Sequence, residues 1–225
     1  MSTWIELIAN DGHGLAAYHA LPVRARKGGL VIIQEVFGVN AHIRSVCDDF
    51  ASRGYEVLAP ALFDRVRPGV ELDYDDDGIA EGRALVGELG WDHPVRDVWA
   101  AATRLDTKGH VGVVGYCWGG TVAWLAASRL DVACAAAYYG RQIVDFPGDH
   151  PSCPTIAHFG ADDALILLDS VETVRARNPE VPIYLYPGAG HGFNCNVRAD
   201  FRADAAALAL ERTLALFASA LDDRR

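Results

Sequence analysis

At 225 residues, 51% of them hydrophobic and 22% charged, the chain has ordinary globular composition. That is enough to bury roughly 70% of the unfolded surface in one domain over residues 1–225, and it excludes disorder, collagen and a disulfide scaffold. A net charge of −10 argues against a nucleic-acid partner, because phosphate binding draws on clustered Lys and Arg.

The first element predicted is a β-hairpin: Trp4, Glu6 and Ile8 alternate, as do Ala16, Tyr18 and Ala20, around Asn10-Asp11-Gly12. Short apolar runs follow at Gly29 to Ile33, Glu56 to Ala59, His110 to Val114, Ala133 to Tyr139, Thr155 to Phe159 and Pro182 to Tyr186. Most are spaced for an intervening helix, which predicts a mostly parallel sheet with helices on both faces. Asp92-His93-Pro94 starts a helix running to Leu105, and Leu210, Leu214, Phe217 and Leu221 form the apolar stripe of a C-terminal helix. No apolar run reaches the roughly 20 residues of a membrane span. The five cysteines (Cys47, Cys117, Cys134, Cys153, Cys195) form no CxxC pair, and no basic-then-apolar leader opens the chain, which points to a reducing cytoplasm.

The chemistry centres on Gly115-Tyr116-Cys117-Trp118-Gly119-Gly120, where an apolar strand meets an Ala-rich helix. Gly-x-nucleophile-x-Gly is a sharp turn that lifts the nucleophile above the sheet, and the helix N-terminus behind it favours a thiolate. The alternative is a glycine-rich turn around an inert buried cysteine. Asp162 and Asp163 follow the next strand but one, and His191 follows the last. The order nucleophile, acid, histidine, each beyond a strand's carboxyl end, favours a triad. Glu35 ends the apolar run Val31-Ile32-Ile33, where a carboxylate needs a partner, Arg44 being one candidate.

These segments, with Gln34 to Asn40, Leu58 to Phe63, His158 to Asp163, Tyr186 to Phe193 and Ala209 to Phe217, make the chain resemble the dienelactone hydrolase family over nearly its whole length. The resemblance implies an α/β-hydrolase fold with no separate cap domain, and hydrolysis of small carboxylic esters or lactones through an acyl-cysteine. It implies Cys117 as nucleophile, His191 as base, Asp163 as orienting acid, Glu35 beside the resting thiol, and the backbone N–H groups of Val36 and Trp118 as oxyanion donors. Two positions where it implies carboxylate-binding arginines hold Ile79 and Cys195. Arg83 and Arg198 become the candidates there, with Trp118, Phe37 and Tyr139 for an apolar acyl pocket. A thiol-dependent acyltransferase or thioesterase, and a non-catalytic small-molecule receptor, are the alternative readings.

No cofactor is required and no metal site is read. Asp73 to Gly78 opens like a calcium loop but has Ala84 where the bidentate glutamate belongs, and reads as a solvated acidic loop. Gly12-His13-Gly14 sits in the predicted hairpin rather than opening a dinucleotide-binding helix. His191 and Cys195 are four apart but have no companion pair nearby in sequence. The expected partner is a small-molecule ester or lactone, with the chain a monomer or small homo-oligomer.

Overall fold

The computed structural model describes residues 1–106 and 110–221. In chain order, β1 (Ser2–Ile8), β2 (Gly14–Ala20), β3 (Gly28–Ile33), α1 (Ala41–Ser52), β4 (Tyr55–Pro60), α2 (Asp76–Leu89) and α3 (Asp92–Leu105) come first. Then follow β5 (Val111–Tyr116), α4 (Trp118–Arg129), β6 (Cys134–Tyr138), β7 (Thr155–Gly160), α5 (Leu168–Arg177), β8 (Ile183–Tyr186) and α6 (Ala203–Ala220). All eight strands form one sheet in the order β1-β2-β4-β3-β5-β6-β7-β8. The hairpin β1–β2 and the β2–β4 pair are antiparallel, and every other pair is parallel. The mostly parallel sheet is the one the βα alternation predicts, and the whole is the α/β-hydrolase fold that the family resemblance implies.

The central strands feed two cores, one on each face. Along β3, Leu30 and Ile32 join one core while Val31 and Ile33 join the other; along β5, Val114 and Tyr116 separate in the same way from Val111 and Val113. That is the period-two alternation of a strand buried on both sides. Ile43, Cys47 and Phe50 of α1, Val171 and Val174 of α5, and Phe217 of α6 fill the first core. Leu85 and Leu89 of α2, Val98 of α3 and Val122 of α4 fill the second. Among the described residues no helix is long and apolar enough to cross a membrane.

Two expectations need correction. The face of α6 on the sheet is Ala205, Ala209, Thr213 and Phe217, with Leu210 and Leu214 only half-buried at its edge. The stripe is rotated because Thr213 Oγ1 lies 2.7 Å from Tyr138 Oη and 3.1 Å from His158 Nε2, a buried polar network that apolar periodicity does not register. The acidic run is not a free loop either. Asp75 caps α2, its Oδ1 accepting from Gly78 N–H at 2.8 Å, and Asp76 and Asp77 occupy the first turn, where carboxylates suit the helix dipole.

Candidate active site

Cys117 stands between β5 and α4 with φ 56° and ψ −120°, a left-handed conformation that side chains other than glycine's seldom adopt. Its neighbours have to be glycine. A Cβ on Gly115 would sit 1.8 Å from the Gly119 carbonyl oxygen, and a Cβ on Gly119 would sit 2.3 Å from that of Gln34. The backbone contact at Gly119 presses the start of α4 against the end of β3, where Glu35 and Val36 follow Gln34. The turn is tied down by Cys117 N–H donating to Tyr138 O at 3.0 Å. Trp118 is the first residue of α4, so its N–H has no carbonyl partner within the helix.

Asp163 follows β7 and His191 follows β8, and both side chains are buried. His191 Nδ1 lies 2.8 Å from Asp163 Oδ2, and Nε2 lies 3.2 Å from Cys117 Sγ. Asp163 Oδ1 accepts from the N–H groups of Leu165 at 2.8 Å and Ile166 at 3.2 Å, which fixes the carboxylate's orientation. With Asp163 as acceptor, the imidazole carries its proton on Nδ1 and turns a lone pair on Nε2 toward the thiol. Once the Cys117 sulfur is ionised, its charge and the Asp163 carboxylate outweigh the burial that opposes a charge on His191 and raise the ring's pKa to about 10, so the imidazole holds the proton it takes from the thiol. Asp162 is exposed, and its backbone N–H donates to Ala189 O at 2.9 Å.

Glu35 is fully buried, and its partner is neither Arg44, which pairs with Glu71, nor the thiol, which pairs with His191. Glu35 Oε2 instead accepts from Tyr74 Oη at 2.9 Å. The Gly38–Glu71 bridge and Leu72 N–H donating to Phe37 O bring that tyrosine in from the segment before α2. Sequence reading passed over Tyr74 because it stands among acidic residues; its only signal was an aromatic in a polar run. The Cys195 thiol is close enough to feel both groups. Burial first, then the Glu35 charge, push its pKa up to about 11.

A cavity of about 290 Å³ opens over Cys117. Val36, Phe37, Ile79, Val86 and Trp118 form its apolar wall, and Arg83, Arg141, Gln142 and Arg198 also line it. Phe37, Arg83 and Arg198, the substrate-binding candidates from the sequence, are among these lining residues. Arg141 and Gln142 were missed, since the 3-10 turn Arg141–Asp145 that carries them has no motif of its own. Tyr139 does not line the cavity. It is fully buried with φ 39°, and its ring meets that of His191 edge-on at 5.3 Å, so it braces the imidazole from behind.

The comparisons with known proteins agree with one another. The dienelactone hydrolase family profile matches residues 15–221. The carboxymethylenebutenolidase of Pseudomonas putida is 32% identical over 222 residues, covering 93% of each chain. A relative from Synechocystis sp., provisionally given the same name, is 34% identical over 98% of each chain. The crystal structure of a provisionally named dienelactone hydrolase from Klebsiella pneumoniae superposes with a TM-score of 0.84 at 29% identity, over 97% of this chain and 99% of that one. A profile match over most of the chain, a relative above 30% identity at nearly full length, and the shared fold together place the chain in the dienelactone hydrolase family.

Proposed function

We propose that the protein hydrolyses small carboxylic esters or lactones through an acyl-cysteine intermediate. The observation that carries this reading is the continuous line Asp163 Oδ2, His191 Nδ1, His191 Nε2, Cys117 Sγ, with separations of 2.8 and 3.2 Å. His191 takes the thiol proton and the sulfur attacks the carbonyl carbon. The tetrahedral oxyanion is held by the N–H groups of Trp118 and Val36, a reading supported by both residues lining the cavity over Cys117. Collapse expels the alkoxide, which takes the proton from His191, and leaves the acyl group on sulfur. His191 then draws a proton from water, hydroxide adds to the thioester, and the carboxylic acid leaves as the thiol is restored.

Glu35 is the alternative acceptor for that one thiol proton, in place of His191 and not in addition to it. Its Oε1 has no partner among the described residues, so swinging toward sulfur breaks one hydrogen bond, the one from Tyr74. Two named relatives are carboxymethylenebutenolidases, and a lactone bearing a carboxylate suits this cavity. Arg83, Arg141 and Arg198 supply positive charge although Ile79 and Cys195 occupy the positions first expected for it.

The test is turnover by the wild type and by Cys117→Ala on one panel of dienelactone, short acyl esters, neutral lactones and acyl thioesters. Activity on at least one ester or lactone, lost in the folded variant, is the expected result. A folded wild type inert on the whole panel, or a variant as active as the wild type, overturns the reading.

A further inference from the structure

Behind the candidate active site, three side chains from distant parts of the chain meet in the interior. Glu35 follows β3, His42 lies in the first turn of α1, and Cys195 follows His191 in the segment after β8. One ligating atom from each lies within 4.8 Å of the others, and all three residues are buried.

The hydrogen bonds around this cluster leave it short of a donor. His42 Nδ1 lies 3.2 Å from Asn196 Oδ1, and an amide oxygen only accepts, so the ring proton is on Nδ1. That leaves the Nε2 lone pair, which is buried and has no partner among the described residues. Glu35 spends Oε2 on Tyr74, and its buried Oε1 is equally without a partner. Two unsatisfied acceptors, one of them on a carboxylate, are expensive inside a protein unless something positive sits between them. A thiol within reach of both completes a mixed oxygen, nitrogen and sulfur donor set.

We infer that Glu35, His42 and Cys195 form a binding site for one divalent transition-metal ion of the zinc class. Imidazole, thiolate and carboxylate together are donors zinc and cobalt accept, whereas calcium and magnesium ask for oxygen alone. Zinc bonds of about 2.0 to 2.3 Å put neighbouring donors about 3.5 Å apart, so binding draws the cluster in by about 1 Å. Binding releases the Cys195 proton and forms the metal–sulfur bond in its place. The Asn196 bond to Nδ1 is the outer contact that orients a ligating histidine. His42 also lines a surface cavity of about 240 Å³ with Ser45, Asn194 and Asn196, which brings solvent up to the histidine. The ion would tie the end of β3, α1 and the His191 segment to one another, and while bound it would hold Glu35 away from the thiol and leave His191 as the base.

The test uses the full chain carrying Cys117→Ser, so that the Cys117–His191 pair contributes no thiolate, and titrates the metal-free, reduced protein with Co(II). The expected result is a thiolate-to-cobalt charge-transfer absorption that saturates at one equivalent, is displaced by zinc, and is accompanied by a higher melting temperature. Adding Cys195→Ser removes the absorption. Adding His42→Gln, which acts even if the Cys195 variant does not fold, weakens cobalt affinity at least about tenfold. A folded protein that develops no charge-transfer band, a band that survives Cys195→Ser, or an affinity unchanged by His42→Gln overturns the site. None of these readouts depends on ester hydrolysis, so the proposal stands or falls apart from the proposed reaction.

Discussion

Replacing Asp163 by Asn tests the orienting role at the level of single protons. Asp163 Oδ1 accepts from the N–H groups of Leu165 and Ile166 at 2.8 and 3.2 Å, so the amide oxygen of Asn has to take that place. Its NH₂ then replaces Oδ2, facing His191 Nδ1 at about the present 2.8 Å. An NH₂ donates, so the imidazole moves its proton from Nδ1 to Nε2 and presents an N–H to Cys117 Sγ. A histidine in that tautomer cannot accept the thiol proton. Loss of general-base catalysis together with the stabilising carboxylate costs about a hundredfold to ten-thousandfold in kcat, or about 3 to 5 kcal/mol of barrier. Asp162→Asn touches none of these contacts and is expected to stay within about twofold of wild type, as exposed substitutions usually do. The assay is kcat/KM for both variants on the best substrate of the panel, with melting curves to show that each is folded. Comparable losses in the two variants, or an Asp163→Asn variant as active as wild type, would refute the tautomer argument.

Other outcomes follow from the same geometry. Gly119→Ala places a Cβ 2.3 Å from the Gln34 backbone oxygen, an overpacking that costs about 1 to 3 kcal/mol and lowers Tm by several degrees; an unchanged Tm would mean that β3 and α4 are not in backbone contact. Arg83→Met together with Arg198→Met is expected to cut kcat/KM for a carboxylate-bearing lactone at least about tenfold while sparing a neutral ester, since hydrogen bonds to a charged group are worth about 1.5 to 3 kcal/mol. Equal losses on the two substrates would remove the arginines from carboxylate recognition. Burial first, then the charge of Arg212, holds the His158 pKa at about 3, below its unfolded value of 6.5. Its stabilising contribution is therefore present above pH 6.5 and lost as pH falls from there toward 3. Between pH 6.5 and 5 that loss is about 2 kcal/mol, which urea titration should find in wild type and not in His158→Gln.

What the sequence made legible was whatever local patterning encodes. Each parallel strand was an apolar run, and the nucleophile turn was marked by Gly115 and Gly119, whose lack of Cβ the packing demands. Cys117, Asp163 and His191 were legible together because each follows a strand's carboxyl end, a relation that chain order preserves. The partners of Glu35 were not. Tyr74 is 39 residues away and reaches it only through the bridge at Gly38. His42 and Cys195 approach Glu35 only once α1 and the last loop have packed, so a search for ligands at short spacing could not find them. Tyr139 was misread for a related reason. An aromatic beyond a strand end suits a pocket wall, but its positive φ turns the ring beneath His191 instead.

The central claim is that Cys117 carries the acyl group, and the most direct measurement is rapid-quench intact-mass analysis with peptide mapping during turnover of a short-chain aryl ester. The account predicts a mass increase of one acyl group, located on the peptide containing Cys117 and absent from Cys117→Ala. An acyl group on another side chain, or steady turnover by Cys117→Ala, would contradict it.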